Sequence, residues 1–346
     1  MSLQFIKNRQ PLALAEGQPP ILLVVIDTEE EFDWRAPFDR KQTSVEAMRH
    51  IGRAQELFDE FGIRPTYVID YPIASQETGR RLLQEYVAEG RAAVGAHLHP
   101  WVSPPFDEEV NAYNSYPGNL SEDLERSKLA FLTKTIEEHF GSRPTIYKAG
   151  RYGFGPNTGR VLENLGYQVD LSPCAGFDLT WDGGPDWSEF PHNPYRFGES
   201  GQLVGFPTTG AYVGWLSSLA PGLYRAAQKP PLRWGRAPGI LSRLGALDRL
   251  LLSPEGYTLE HMKRLTRALL ARGPQVLTLS FHSPSVVPGH TSYVRSESEL
   301  KEFMASCRQY FEFFLGELGG ATMGALELRD LLINPPASSL QPGSPA

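Results

Sequence analysis

The stretch Ile21-Leu22-Leu23-Val24-Val25-Ile26-Asp27 decides the fold class. Six apolar residues run without interruption and stop at an acid, the pattern of a strand buried on both faces. Working outward, helical and strand patterns alternate. Val45, Met48, Leu57, Phe58 and Phe61 mark a helix that Gly62 stops. Residues 66–70 read as a strand, 75–90 as a helix and 92–97 as a strand. Ser121 caps a helix running to Phe140, with Gly141 after it; 145–149 is a strand, 157–165 a helix and 168–172 a strand. Later come a helix over 259–272, a strand over 276–281, and a helix opened by the capping box Ser296-Glu297-Ser298-Glu299. Such alternation implies parallel strands joined by right-handed crossovers. A (β/α) barrel fits better than an open doubly wound sheet. Where the open sheet would carry a Gly-rich phosphate loop, this chain has Asp27-Thr28-Glu29-Glu30-Glu31.

The 346 residues are 41% hydrophobic and 21% charged, enough apolar material for one large core. A net charge of −7 argues against a nucleic-acid partner. Cys174 and Cys307 have neither disulfide-scaffold nor metal-type spacing, which points to a reducing compartment. With no long apolar run, the expectation is a soluble cytoplasmic protein. Residues 1–20 are expected to be an N-terminal extension, 21–334 a single barrel domain and 335–346 a disordered tail rich in Pro, Ser and Gly.

Chemistry-bearing side chains gather at strand ends. Asp27, His97, Lys148, Asp170 and His282 each close a predicted strand, and in a parallel barrel these ends share one rim. Asp27 and Glu29, two apart in extended chain, point the same way; the plain alternative is a solvated acidic loop. His97 and His99 have the same spacing and can chelate one ion, although a lone histidine is more often structural. Imidazole plus carboxylate suits Zn²⁺, with Co²⁺, Ni²⁺ or Mn²⁺ as alternatives. Lys148-Ala149-Gly150-Arg151-Tyr152-Gly153 can orient a carboxylate and present backbone N–H groups to an oxyanion, or be an ordinary turn with one salt bridge. His282, just past an apolar strand, is placed to act as a general acid.

Taken in order, Asp-x-Glu after the first strand, Gly95-Ala96-His97-Leu98-His99, the Arg151-Tyr152-Gly153 turn and the late strand ending in His282 resemble the polysaccharide deacetylase family, carbohydrate esterase family 4 (NodB-like), and within it the WalW-type branch. The resemblance runs from about Ile21 to Ile333. It implies an irregular (β/α)7 barrel and a divalent metal. It implies Asp27 as general base, Glu29 and His97 as metal ligands, and His282 as acid. Thr28 separates an acidic pair that is adjacent in the family, so Asp27 and Glu29 can exchange roles. Trp101 occupies the family's second histidine position, so His99 is taken as the remaining ligand and Trp101 as a substrate contact. The cation that holds the base aligns with Lys148 or Arg151; Arg151 is preferred for its bidentate guanidinium, leaving Lys148, with the Tyr152 N–H, for substrate or oxyanion. Asp170 is expected to orient His282. The implied reaction removes an acetyl group from an N-acetylated amino sugar in a glycan or lipid-linked precursor. The alternatives are hydrolysis of another small C–N amide, or an inactive sugar-binding protein.

One stretch lies outside the barrel pattern. Residues 216–252 hold Arg225, Lys229, Arg233, Arg236, Arg243 and Arg249 against the single acid Asp248. We expect a basic helical insert capping the barrel mouth, with its cations solvated or in peripheral contact with an anionic membrane.

Overall fold

The computed structural model describes residues 5–6, 8–33, 36–219, 222 and 246–335. Most of the insert, with Arg225, Lys229, Arg233, Arg236 and Arg243, lies outside the described residues, as does the chain from 336 to 346.

Strands β1 (Gln10–Pro11), β2 (Ile21–Thr28), β3 (Thr66–Ile69), β4 (Ala93–Leu98), β5 (Ile146–Ala149), β6 (Val169–Asp170), β7 (Tyr195–Phe197), β8 (Leu203–Gly205), β11 (Val276–His282) and β12 (Ala321–Thr322) form one sheet. Seven of them run parallel in the order β8-β6-β5-β4-β3-β2-β11. β12 joins β2 in parallel, while β7 and β1 add an antiparallel edge. The remaining pair, β9 (Gly210–Val213) and β10 (Asp248–Leu251), is an antiparallel ribbon. The C-terminal end of the expected helical insert is therefore strand: Arg249 pairs with Tyr212 in this ribbon and its guanidinium lies 4.3 Å from the Phe177 ring centre.

The ladder does not close into a full barrel. Among the described residues, isolated hydrogen bonds cross between β8 and β11: Thr209 N donates to Thr278 O (3.3 Å), Thr278 N to Thr209 Oγ1 (2.8 Å), and Ser280 N to Leu252 O (3.1 Å).

Alternation along β2 explains its unbroken apolar run. Ile21, Leu23 and Val25 face one core with Val68, Ile146, Val169, Val204 and Val276, while Leu22, Val24 and Ile26 face the larger core under the helices. The first core is floored by Ala325, Leu328 and Leu332 of the last helix, Ala325–Ile333. Parity now sorts the strand ends. Asp27 continues the Ile21/Leu23/Val25 face, Lys148 that of Ile146, and His282 that of Val276. Asp170 has the opposite parity to Val169.

The helices α1 (Gly52–Glu60), α2 (Tyr71–Ser75), α3 (Glu77–Ala88), α4 (Glu122–Phe140), α5 (Thr158–Asn164), α6 (Leu259–Leu270), α7 (Glu297–Phe311) and α8 (Ala325–Ile333) supply the crossovers and floor. Two differ from expectation at their starts. The first begins as a 3₁₀ turn, Glu46–His50, before α1. The segment 75–90 is preceded by α2, whose cap is Asp70: its Oδ1 accepts from Ile73 N at 2.8 Å. Ser121 caps α4 as expected, and Gly141 ends it at φ +72°. The box at Ser296 is half formed. Its hydroxyl accepts from Glu299 N, but the Glu299 carboxylate turns to Arg295 instead.

Candidate active site

Register places Asp27 and His282 side by side. Asp27 pairs with His282 across β2 and β11, and His97 with Lys148 across β4 and β5; Asp27, His97 and His282 line one cavity, with Lys148 buried behind Asp27. Lys148 is fully buried and donates to both Asp27 oxygens, at 2.6 and 2.7 Å, and to Ser280 Oγ at 3.1 Å. Burial pushes the Asp27 carboxyl up, but Lys148, His97 and His282 outweigh it and hold Asp27 below its ordinary range. Asp27 is thereby an ionised carboxylate facing His282 Nε2 at 3.9 Å.

The cation that holds Asp27 is thus Lys148 and not Arg151. Lys148 lies inside β5, two residues from Ile146 and on its face; Arg151 lies beyond the strand in a left-handed turn (φ 55°) and pairs with Asp182 and Ser115. Lys148 is correspondingly no substrate contact. Trp101 is not one either: it is 1% exposed, stacks behind His99 at 4.3 Å, and donates Nε1–H to Glu30 Oε1 at 2.9 Å.

The metal-type donors form a triangle. Glu29, His97 and His99 bring one ligand atom each to within 4.8 Å of one another, all three buried. Glu29 Oε2 lies 3.6 Å from His97 Nε2 and 3.4 Å from His99 Nε2. The other ring nitrogens are engaged: His97 Nδ1 at 2.9 Å from Lys148 O, His99 Nδ1 at 2.8 Å from Glu30 Oε2. Donation to those oxygens assigns the proton to Nδ1 and turns both Nε2 lone pairs toward Glu29, the arrangement of outer carboxylate and carbonyl support behind metal-binding histidines. The donor set of two imidazoles and one carboxylate fits a divalent ion of the zinc type. Burial lowers the His99 pKa, favouring the neutral ring that a metal requires. Burial raises Glu29, and His282, His97 and His99 together reverse that shift.

Behind this layer sits a residue without a strand-end signal. Glu255, in the loop after β10, accepts from His282 Nδ1 (2.7 Å) and from the His282 backbone N–H (3.1 Å). Burial works against a charged His282, yet Glu255, Glu29 and Asp27 push its pKa up to about 10. Asp170 does not share this role. It points through the other face of the sheet to Ser172 and toward Tyr195, and burial raises it to about 7. The parity of 168–172 carried that information; nothing in the sequence singled out Glu255.

Glycine permits the close packing. A Cβ on Gly150 would sit 2.5 Å from the His99 ring and from Leu98 O, so only glycine lets the Arg151-Tyr152 turn close over the histidines. Tyr152 (φ 57°) lines the resulting cavity, about 360 Å³, with Asp27, Glu29, His97, His99, Arg151 and His282.

The amino-acid sequence matches no protein-family model and no curated protein. Solved structures do match. A Mycobacterium smegmatis protein designated a polysaccharide deacetylase shares 15% identity over 95% of this chain and 95% of its own, at a TM-score of 0.58. The fold is that of the polysaccharide deacetylases. PuuE allantoinase shares it too, at 15% identity over 95% of this chain and 96% of its own, TM-score 0.57. The polysaccharide deacetylase fold therefore serves more than one named activity among its solved structures, and likeness at this identity establishes architecture alone.

Proposed function

We propose that this chain is a metal-dependent hydrolase that removes an acetyl group from an N-acetylated amino sugar, in a glycan or lipid-linked precursor. The observation that supports this most is the ionised Asp27 facing His282 beside the Glu29/His97/His99 triangle. A divalent ion bound by those three residues would supply Lewis-acid polarisation of the amide carbonyl and a more acidic water. The chain's own groups account for the proton transfers. Asp27, fixed by Lys148 and Ser280, takes a proton from the water whose oxygen adds to the carbonyl carbon. The Tyr152 N–H, in its left-handed turn at the cavity wall, is our candidate donor to the developing oxyanion. His282, its Nδ1 held by Glu255, directs Nε2 at the cavity and protonates the departing nitrogen as the C–N bond breaks. The products are acetate and the free amine.

The test is metal content and acetate release measured together. Freshly purified protein should hold about one divalent ion per chain and release acetate from N-acetylglucosamine oligomers. Metal with turnover of allantoin or a formamide, and none of acetamido sugars, would give the site to another C–N amide. An empty site with sugar binding and no turnover would make the chain a binding protein.

A further inference from the structure

Trp181 stands out among the apolar side chains. It is 78% exposed, yet it lines the same cavity as Asp27 and His282. An indole face left open at a cavity wall is placed to stack on the apolar face of a ligand ring. The loop carrying it is braced from several sides. Asp182 pairs with Arg151, whose guanidinium lies 4.1 Å from the Tyr116 ring centre, and Tyr116 Oη reaches Asp182 at 3.4 Å. Asn119 Nδ2 donates to Gly183 O at 2.9 Å. At the loop's base, Trp187 Nε1 donates to Tyr152 O at 3.0 Å, tying it to the turn that covers the histidines. Phe177 and Leu179 of the same loop continue the apolar wall inward. The cleft also continues past the acid: a second cavity of about 470 Å³ shares His282 and Tyr293 with the first and is lined by polar Glu31, His290, Thr291 and Arg295.

Resting on the hydrolase reading above, we propose that Trp181, locked by the Arg151–Asp182 pair, is the stacking platform for the sugar ring next to the one whose amide is cleaved. The apolar face of a pyranose matches an indole face. The substrate is then an oligosaccharide, and Trp181 sets its chain-length preference.

The probes are chitotetraose and N-acetylglucosamine. The tetramer should be favoured over the monomer in kcat/KM, and Trp181→Ala should cut that advantage about tenfold, mainly through KM, with Trp181→Phe restoring most of it. Asp182→Asn should weaken it in the same direction. Equal use of monomer and tetramer by the natural chain, or an unchanged advantage in Trp181→Ala, overturns the platform. A separate titration followed by tryptophan emission keeps the two readings apart. Tighter binding of tetramer without acetate release supports the platform and removes the hydrolase. Acetate release with no preference for tetramer does the reverse.

Discussion

At the scale of single residues the site depends on buried charge held in pairs. Asp27→Asn keeps the shape but cannot accept a proton, so turnover should drop by about 10²–10⁴-fold. The same change leaves the Lys148 ammonium buried against an amide, and breaking such a pair costs about 3–5 kcal/mol. A lower melting temperature in Asp27→Asn, recovered in Asp27→Asn with Lys148→Met while activity stays lost, would separate the two effects; full activity in either variant would remove Asp27 as base. The pH profile reports the other partner. In the proposed reaction His282 works protonated, so activity should fall as pH rises through its pKa, which Glu255 helps push up to about 10. Glu255→Gln removes that support and should move the alkaline limb to lower pH. The acid limb, set by Asp27 below its ordinary range, should stay in place. A pH–rate profile unchanged in Glu255→Gln would leave the carboxylate a structural role only.

At the scale of elements, α4 packs a carboxyl against the sheet. Glu125 is 1% exposed, accepts from Thr158 Oγ1 and is raised to about 8, chiefly by burial. Its folded pKa lies above the unfolded value of 4.5, so the folded chain holds a proton that the unfolded chain has lost between those limits. Stability from this group is therefore complete below pH 4.5 and declines as pH rises toward 8, by roughly 1.4 kcal/mol per pH unit at most. Denaturant unfolding of Glu125→Gln at pH 5 and pH 8 should show a smaller loss than the natural chain. An identical loss in both would mean that another group titrates. Asp170 on β6 and Glu30, each raised to about 7, contribute the same sign, so part of the slope remains in the variant.

For the whole molecule, the three-donor triangle joins parts of the chain far apart in sequence, Glu29 just after β2, His97 in β4 and His99 just after it. An ion bound there should stabilise the fold in proportion to its occupancy. Chelation should lower the melting temperature, and zinc added back should restore it. His99→Ala should abolish that response, since a site with three protein ligands has none to spare. A melting temperature indifferent to chelator in the natural chain would sink the site. Among the described residues no helix is long and apolar enough to cross a membrane.

The sequence determined the parallel order of elements, because a strand buried on both faces must be apolar throughout and its end must be polar. It also determined which face each strand-end residue takes, because side chains alternate strictly. On that basis Asp27, Glu29, His97, His99 and His282 were legible, and Lys148 over Arg151 was legible to anyone counting from Ile146. Only the tertiary structure decided what meets across the cavity. Glu255 reaches His282 from a loop with no periodic signal, Trp101 turns behind His99 to hold Glu30, and isolated hydrogen bonds at Thr209 and Leu252 bridge β8 and β11. Those outcomes depend on how loops of irregular backbone fill the space between fixed strand ends. Local pattern fixes the strands and says little about that space.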